Sequence, residues 1–322
     1  MAAIGERRAL VGSEHMANVL VTGATGFLGA ALLPRLQHEG HRVRAYARRP
    51  EAVAGDVPVV QGDAVQGTGL DAALDGIDVA YYLIHSMEGA GTAKSFDGLE
   101  LRSVENFAAA AQRAGVRRVI YLGGLVPTDK AASRHLGSRL AVEEVLLGGA
   151  TPEAVAFRAS LVIGARSRSF RFLVRLVERA PFLPLPGWSG NRTQPIDERD
   201  VLSLMLAAAT SEAVTGPLSM DIAGPDVVTY GEMVEAIRDH LVIGRPALRI
   251  PITMTAVAAK VAAAIAGEDV GLIEPLMESL ESDLLPRDEA APAFFGVRMH
   301  SFDAAVEHAL GVWERSEPLA AR

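Results

Sequence analysis

The stretch Val21-Thr22-Gly23-Ala24-Thr25-Gly26-Phe27-Leu28-Gly29 constrains this chain more than any other. It follows a short apolar run at 18–21. It opens a segment with helical spacing of Phe27, Leu28, Ala31, Leu32 and Leu36, which Gly40 closes. Three glycines between a strand and a helix each have a task. Gly23 permits a tight turn, Gly26 lets a diphosphate approach the backbone, and Gly29 lets the helix pack closely on the strand. The N–H groups and dipole of the helix start favour phosphate. Gly23, Thr25, Gly26, Phe27, Leu28 and Gly29 are therefore the expected dinucleotide contacts.

The alternation begun there continues. Strand patterns at 42–47, 57–60, 79–84, 118–122 and 154–158 are separated by helical patterns at 96–114 and 132–147. Near-continuous apolar strands between helices imply a parallel sheet covered on both faces. The Pro- and Gly-rich stretch 180–191 (APFLPLPGWSGN) reads as a loop, and a helix at 200–209 with a strand at 218–222 returns to the sheet. Beyond Gly224-Pro225 helices dominate, one of them starting with a capping box at Thr229 and Glu232. The expected fold class is α/β, a Rossmann-type doubly wound parallel sheet with a smaller, mostly helical C-terminal substrate lobe. Its expected parts are a flexible leader at 1–17, a nucleotide-binding domain at 18–165 whose core also receives about 196–224, and a lobe from 166–195 and 225–322.

Composition removes several function classes. Thirty-one basic against 39 acidic residues give a net charge of −8, which argues against nucleic-acid binding. With no cysteine there is no disulfide, thiolate metal site or cysteine nucleophile. The eight histidines show no HExxH or paired-ligand spacing, so no metal is expected, and GxSxG is absent. The N-terminus has a four-residue apolar stretch after Arg7 and Arg8, against the roughly 7–15 residues of a signal peptide core. The longest apolar region, 252–267, is interrupted by Lys260, and a membrane span needs about 20 residues. It is read as a buried helix, and a cytoplasmic setting is expected.

The second strand indicates which dinucleotide. An NAD site carries an Asp or Glu on the ribose 2′-hydroxyl about 20 residues beyond the third glycine. Here Ala45-Tyr46-Ala47-Arg48-Arg49-Pro50 has no carboxylate before Glu51. Two guanidiniums at a strand end suit a 2′-phosphate, so NADP(H) is expected in preference to NAD(H), with Arg48 and Arg49 as its contacts. Asp63 and Ala64, after the third strand, are expected near the adenine, and Leu83 and His85 at the end of the fourth, where ligands of open α/β sheets collect.

On these residues the chain resembles the short-chain dehydrogenase/reductase superfamily, in its extended and atypical branches. Within them it is similar to the NmrA-like NAD(P)-binding group often labelled sugar-nucleotide epimerase-like. TGATGFLG carries the resemblance, together with Arg48, Tyr81-Tyr82-Leu83-Ile84-His85-Ser86-Met87, Tyr121-Leu122-Gly123-Gly124-Leu125, His135-Leu136-Gly137-Ser138-Arg139 and Asp221-Ile222-Ala223-Gly224-Pro225. It implies that Ser160, Leu161 and Val162 pass the nicotinamide, and that Gly123 and Gly124 stand where a catalytic serine is usual. It also implies Tyr-x-x-x-Lys, which this chain lacks. Its three lysines, Lys94, Lys130 and Lys260, are preceded four residues earlier by Ala90, Val126 and Ala256.

At the expected helix stand His135 and Arg139, on one face at i and i+4. Histidine is a competent general acid, and an always-charged arginine stabilises a developing alkoxide or enolate. The same stripe continues through Val142 and Leu146 as a packing face does, so the pair reads either as catalytic or as cofactor-holding and structural. His85 is a second catalytic candidate, with a structural role as the alternative. Arg168, in the run Arg166-Ser167-Arg168-Ser169-Phe170-Arg171, is a candidate for an anionic substrate group, and Trp188, Thr193 and Gln194 for the floor of a substrate pocket. The expected activity is NADPH-dependent reduction of a small carbonyl or activated alkene. A non-catalytic NADP(H)-responsive regulator or assembly factor, and a nucleotide-sugar epimerase-like enzyme, are the alternatives. A homo-oligomer is compatible with each.

Overall fold

The computed structural model describes residues 16–85, 93–127, 133–249, 265 and 280–319. Seven strands form one sheet: β1 (Asn18–Thr22), β2 (Arg42–Ala47), β3 (Val59–Gln61), β4 (Val79–Tyr82), β5 (Arg118–Gly124), β6 (Glu153–Ala159) and β7 (Pro217–Ile222). Every pairing is parallel and the order is β7-β6-β5-β4-β1-β2-β3. The order reverses between β1 and β4, which leaves a crevice at the carboxyl ends of those strands.

Alternation along each strand feeds two cores. Val19, Val21, Tyr81 and Ile120 face α1 (Phe27–His38) and a later helix, Glu198–Thr210, while Leu20, Tyr82 and Tyr121 face the helices α2 (Leu70–Leu74), α3 (Ala93–Ala114) and α4 (Arg134–Leu147). This is the doubly wound Rossmann-type arrangement. Arg118, 2% exposed in β5, ties the sheet to the residues after Glu198–Thr210. It donates to Glu153 at 2.7 Å and to the Ser211 carbonyl at 2.9 Å.

A second cluster gathers outside the sheet from α5 (Arg168–Arg179), α7 (Tyr230–His240) and α9 (Phe302–Glu314). In chain order, Glu198–Thr210 is α6 and Ala290–Phe295 is α8. Phe170, Val174 and Val177 of α5 meet Met233 and Ile237 of α7 and Val306 and Leu310 of α9. Trp313 closes the cluster, fully buried beneath the guanidiniums of Arg171 and Arg175, 4.0 and 4.9 Å from its ring centre. The capping box of α7 is formed, with Glu232 N donating to Thr229 Oγ1 and Thr229 N to Glu232 Oε2.

Three readings differ. The stretch 180–191 is not simply a loop. Leu183–Leu185 pairs in parallel with Ala247–Arg249, and Gly187–Gly190 forms a 3-10 turn. Its prolines signal a break in the chain, but a partner some sixty residues away supplies the missing ladder. Arg192–Thr193 likewise pairs with Val228–Thr229, so the lobe mixes short strands with its helices. The fourth strand ladder stops at Tyr82 rather than 84. The leader through residue 15, and the helix expected at 252–267 apart from residue 265, lie outside the described residues.

Candidate active site

The glycine turn is set by backbone geometry. Gly23 has φ of +63°, and a β-carbon there would lie 2.2 Å from the Leu83 carbonyl oxygen. A β-carbon on Gly29 would lie 2.3 Å from the Gly23 carbonyl oxygen, so α1 approaches the turn as only glycine allows. Gly26 caps α1 without a side-chain bond, leaving the first N–H groups of the helix open. Thr22 secures the turn from below. Its hydroxyl donates to Tyr81 O at 2.9 Å and accepts from Leu83 N at 3.1 Å, joining the ends of β1 and β4.

Over this turn lies a cavity of about 310 Å³. It brings together Gly23, Gly26, Phe27, Leu28 and Gly29 from the turn, Leu83 and His85 beyond β4, and Gly123 and Gly124 of β5. His135 and Arg139 of α4, Ser160, Leu161 and Val162 after β6, and Arg168 of α5 complete the expected residues in its lining. Leu122, Leu136, Ala159, Phe172, Leu173, Tyr230, Leu280 and Leu284 also line it and make it predominantly apolar. Sequence reasoning did not single these out, because they come from six separate segments with no shared local pattern.

Arg139 is 9% exposed and has no carboxylate within ion-pair distance among the described residues. Its Nη1 lies against the His85 ring, 2.8 Å from Nε2 and in contact with Nδ1. His85 is exposed to the cavity, and the protein packed around its ring displaces part of its water. That desolvation, then the charge of Arg139 and the neighbouring His135, holds its pKa well below the usual imidazole value. Burial, then Arg139, pulls His135 down to about 4. At neutral pH the wall is therefore one fixed cation and two neutral imidazoles. His135 is available as an N–H donor or a base, not as an imidazolium acid.

The α4 wall is anchored from behind. Ser138 donates to the buried carboxylate of Glu100 on α3, and the Tyr121 hydroxyl donates to the Arg139 carbonyl at 3.2 Å. One turn on, Glu143 receives both arms of Arg158 at 2.8 and 2.6 Å and the Ser219 hydroxyl at 2.8 Å. Asp221 on β7 holds Arg287 at 2.9 and 2.7 Å and lies 3.9 Å from Arg158. Charged residues thus lock α4 to β6 and β7.

The remaining candidates stand elsewhere. Thr25 is exposed at the tip of the turn. Arg48 and Arg49 are exposed beyond β2, clear of any carboxylate among the described residues. Asp63 accepts Val65 N at 2.9 Å and, with Thr68, closes its own turn beside the buried Ala64. Trp188, Thr193 and Gln194 are not brought to the cavity but stand behind its wall. Trp188 packs edge-on against Tyr230, with ring centres 6.3 Å apart. The buried Thr193 hydroxyl makes no hydrogen bond among the described residues. The Gln194 side-chain amide donates to Gly224 O at 2.7 Å and to Glu289 at 2.8 Å, and the Gln194 main-chain carbonyl accepts from the Ser160 hydroxyl at 2.8 Å. Among the described residues no group of His, Asp or Glu is arranged to hold a metal, and no helix is long and apolar enough to cross a membrane.

A family described as NAD(P)H-binding matches residues 23–147, the glycine turn through the end of α4. The match places an NAD(P)H-binding domain of this kind on the part of the chain that carries the glycine turn. Relatives of this chain include the mitochondrial NADH dehydrogenase [ubiquinone] 1 alpha subcomplex subunit 9 of Arabidopsis thaliana, 28% identical over 73% of this chain and 61% of the relative. Ceramide reductase of Caulobacter vibrioides is 28% identical over 72% of this chain and 73% of the enzyme. A 3 beta-hydroxysteroid dehydrogenase/Delta 5-->4-isomerase of Mycobacterium tuberculosis is 37% identical over 34% of this chain and 32% of the enzyme. The chain thus spans less than two thirds of the length of the plant subunit and of the steroid enzyme. Among solved structures, gox2253 (TM-score 0.72, 19% identity, 93% of this chain and 98% of that one) and MoeE5 with UDP-glucose and NAD (TM-score 0.69, 20% identity, 92% and 98%) share the fold.

Proposed function

We propose that this chain is an NADPH-dependent reductase of a small, largely apolar compound bearing a carbonyl or an activated alkene. The observation that carries the proposal is Arg139, a buried guanidinium without a carboxylate partner among the described residues, lining the same cavity as the glycine turn. Buried charges are ordinarily paired. One left facing a cavity is placed to meet negative charge brought or developed there.

The cofactor fits what is present. The turn has no room for β-carbons at Gly23 and Gly29, and α1 offers uncapped N–H groups for a diphosphate. Arg48 and Arg49 would hold a 2′-phosphate, and Ser160, Leu161 and Val162 would border the nicotinamide. NADPH, when bound, supplies a hydride. Arg139 would stabilise the oxyanion or enolate forming on the substrate, the neutral His135 would give the same oxygen an N–H hydrogen bond, and water would supply the proton that completes the product, with His85 against the guanidinium. A neutral imidazole acting as an electrophile suits a site whose cation already suppresses imidazolium. Leu136, Phe172, Leu173 and Leu280 supply the apolar wall, and relatives named for steroid and ceramide substrates support an apolar substrate. A cytoplasmic location belongs to the same proposal.

The test is NADPH oxidation with a panel of ketones, enones, quinones and imines by the wild type, Arg139→Met and His135→Ala. A substrate whose turnover falls about 100-fold or more in Arg139→Met is expected, from the loss of one charge-assisted contact to the transition state. Normal turnover and an unchanged pH–rate profile in His135→Ala would remove His135 from the mechanism. The absent Tyr-x-x-x-Lys favours a second reading, a non-catalytic NADP(H) binder, and a relative named as a subunit of NADH dehydrogenase supports it. Tight NADPH binding with no oxidation by any panel member would move the assignment there.

A further inference from the structure

A second helix start borders the same cavity. α5 begins at Arg168, after a turn in which Ser167 N donates to Gly164 O at 3.0 Å and Arg171 N to Ser167 O at 2.8 Å. This turn is pressed onto the cofactor helix. A β-carbon on Gly164 would lie 2.0 Å from Oε2 of Glu198, the first residue of α6, and 2.6 Å from Cζ of Phe27, the first residue of α1. Two positive helix ends therefore share one space.

A serine at the position before a helix ordinarily accepts a hydrogen bond from the first turn. Ser167 does not, because its side chain makes no capping bond. The residue is 6% exposed and lines the cavity, and its hydroxyl has no hydrogen-bond partner among the described residues. Ser169 lines the cavity beside it, and the N–H groups of Ser169 and Phe170 precede the first helical bond. A hydroxyl that opens onto the cavity with no protein partner, beside open N–H groups, is placed to donate with them to an acceptor brought into the cavity. Arg166 and Arg168 are exposed on the same turn, where Arg166 acts on the Glu198 carboxylate that faces Gly164.

We infer that the start of α5 is an anion subsite, taking a phosphate or carboxylate group between the Ser167 hydroxyl and the N–H groups of Ser169 and Phe170. The group belongs either to the diphosphate of the cofactor or to an acidic substituent of the substrate. The subsite stands on its own geometry; only the choice between these sources rests on the NADP(H) reading.

Ser167→Asp is the discriminating variant. Aspartate caps a helix as well as serine does, so α5 is kept, while the added carboxylate occupies the subsite and repels an anion. Ser167→Asn is the neutral cap control, and thermal unfolding checks that both variants fold. Inorganic phosphate is titrated calorimetrically into the full chain, alone and saturated with NADPH, and NADPH affinity is measured in parallel. Phosphate binding weakened about tenfold or more in Ser167→Asp, and much less in Ser167→Asn, is the expected result. Binding that persists with NADPH bound assigns the subsite to the substrate. Phosphate displaced by NADPH, with NADPH itself weakened in Ser167→Asp, assigns it to the cofactor. Unchanged phosphate and NADPH affinities in Ser167→Asp overturn the inference, as does a wild type that binds no phosphate while NADPH affinity is the same in both. Phosphate weakened by the variant in a chain that binds no NADPH keeps the subsite and removes the cofactor reading.

Discussion

The two walls of the cavity are built from different materials. The β1–α1 wall is backbone: Gly23, Gly26 and Gly29 act through absent side chains and open N–H groups, and no titratable group takes part in its shape. The α4 wall is side chain: Arg139, His85 and His135 present their charge or neutrality to the cavity, held by the Glu100, Glu143, Arg158 and Asp221 contacts behind them. A backbone site binds a constant feature of a ligand, a diphosphate, and is indifferent to pH. A side-chain site sets chemistry, and depends on neighbours that must all be present.

The largest effect is expected where the side-chain wall is anchored. Arg158→Met leaves Glu143 buried without its guanidinium, and urea unfolding should show a loss of about 3–5 kcal/mol. A loss below about 1 kcal/mol would mean that α4 is held by packing alone. Gly29→Ala attacks the other wall with one methyl group. Its β-carbon meets a carbonyl oxygen at 2.3 Å, so the turn must move, and NADPH affinity should fall about 100-fold, read from nicotinamide fluorescence.

The same contrast explains what was legible in the sequence. A turn made of glycines is a local string, so Gly23 to Gly29, the strands beside it and the parallel sheet could be read directly. His135 and Arg139 were legible as positions, since i and i+4 share a helix face. Their electrostatics were not, because the depression of both imidazoles comes first from burial in the folded chain and then from the charge of Arg139, which meets His85 across 54 residues of chain. In the sequence Trp188, Thr193 and Gln194 lie on or just beyond the long Pro- and Gly-rich stretch that reads as a loop. Gln194 is instead held by Gly224 and Glu289, and Tyr230, which does line the cavity, showed only as part of a helix cap. The lobe's short ladders pair segments far apart in sequence, and a proline-rich segment gives no local sign of its partner.

A smaller effect sharpens the comparison at the edge of the backbone wall. Reversing Arg48 and Arg49 to Glu should weaken NADPH about tenfold or more and leave NADH unchanged or improved, since each charge-assisted bond to a phosphate contributes about 1.5–3 kcal/mol. Equal losses for both nucleotides would place these arginines outside the 2′-phosphate site.

The subtlest effect is on protonation. Because His135 binds its proton less readily in the folded chain than in the unfolded one, unfolding takes up a proton between about pH 6.5 and its folded value of about 4. Stability should therefore be full above about pH 6.5 and fall as the pH drops through this window. His135→Leu should flatten that slope, and Arg139→Met should raise the histidine pKa values followed by NMR. Histidine titrations that stay put in Arg139→Met would show that burial alone sets them.

The central claim, that the glycine turn and the Arg48–Arg49 strand end hold NADP(H), is tested most directly by titrating the purified chain with NADPH and with NADH while following nicotinamide fluorescence. Saturable binding of both, with NADPH tighter by about tenfold or more, is the predicted result. NADH binding as tightly as NADPH, or no binding of either, would contradict it.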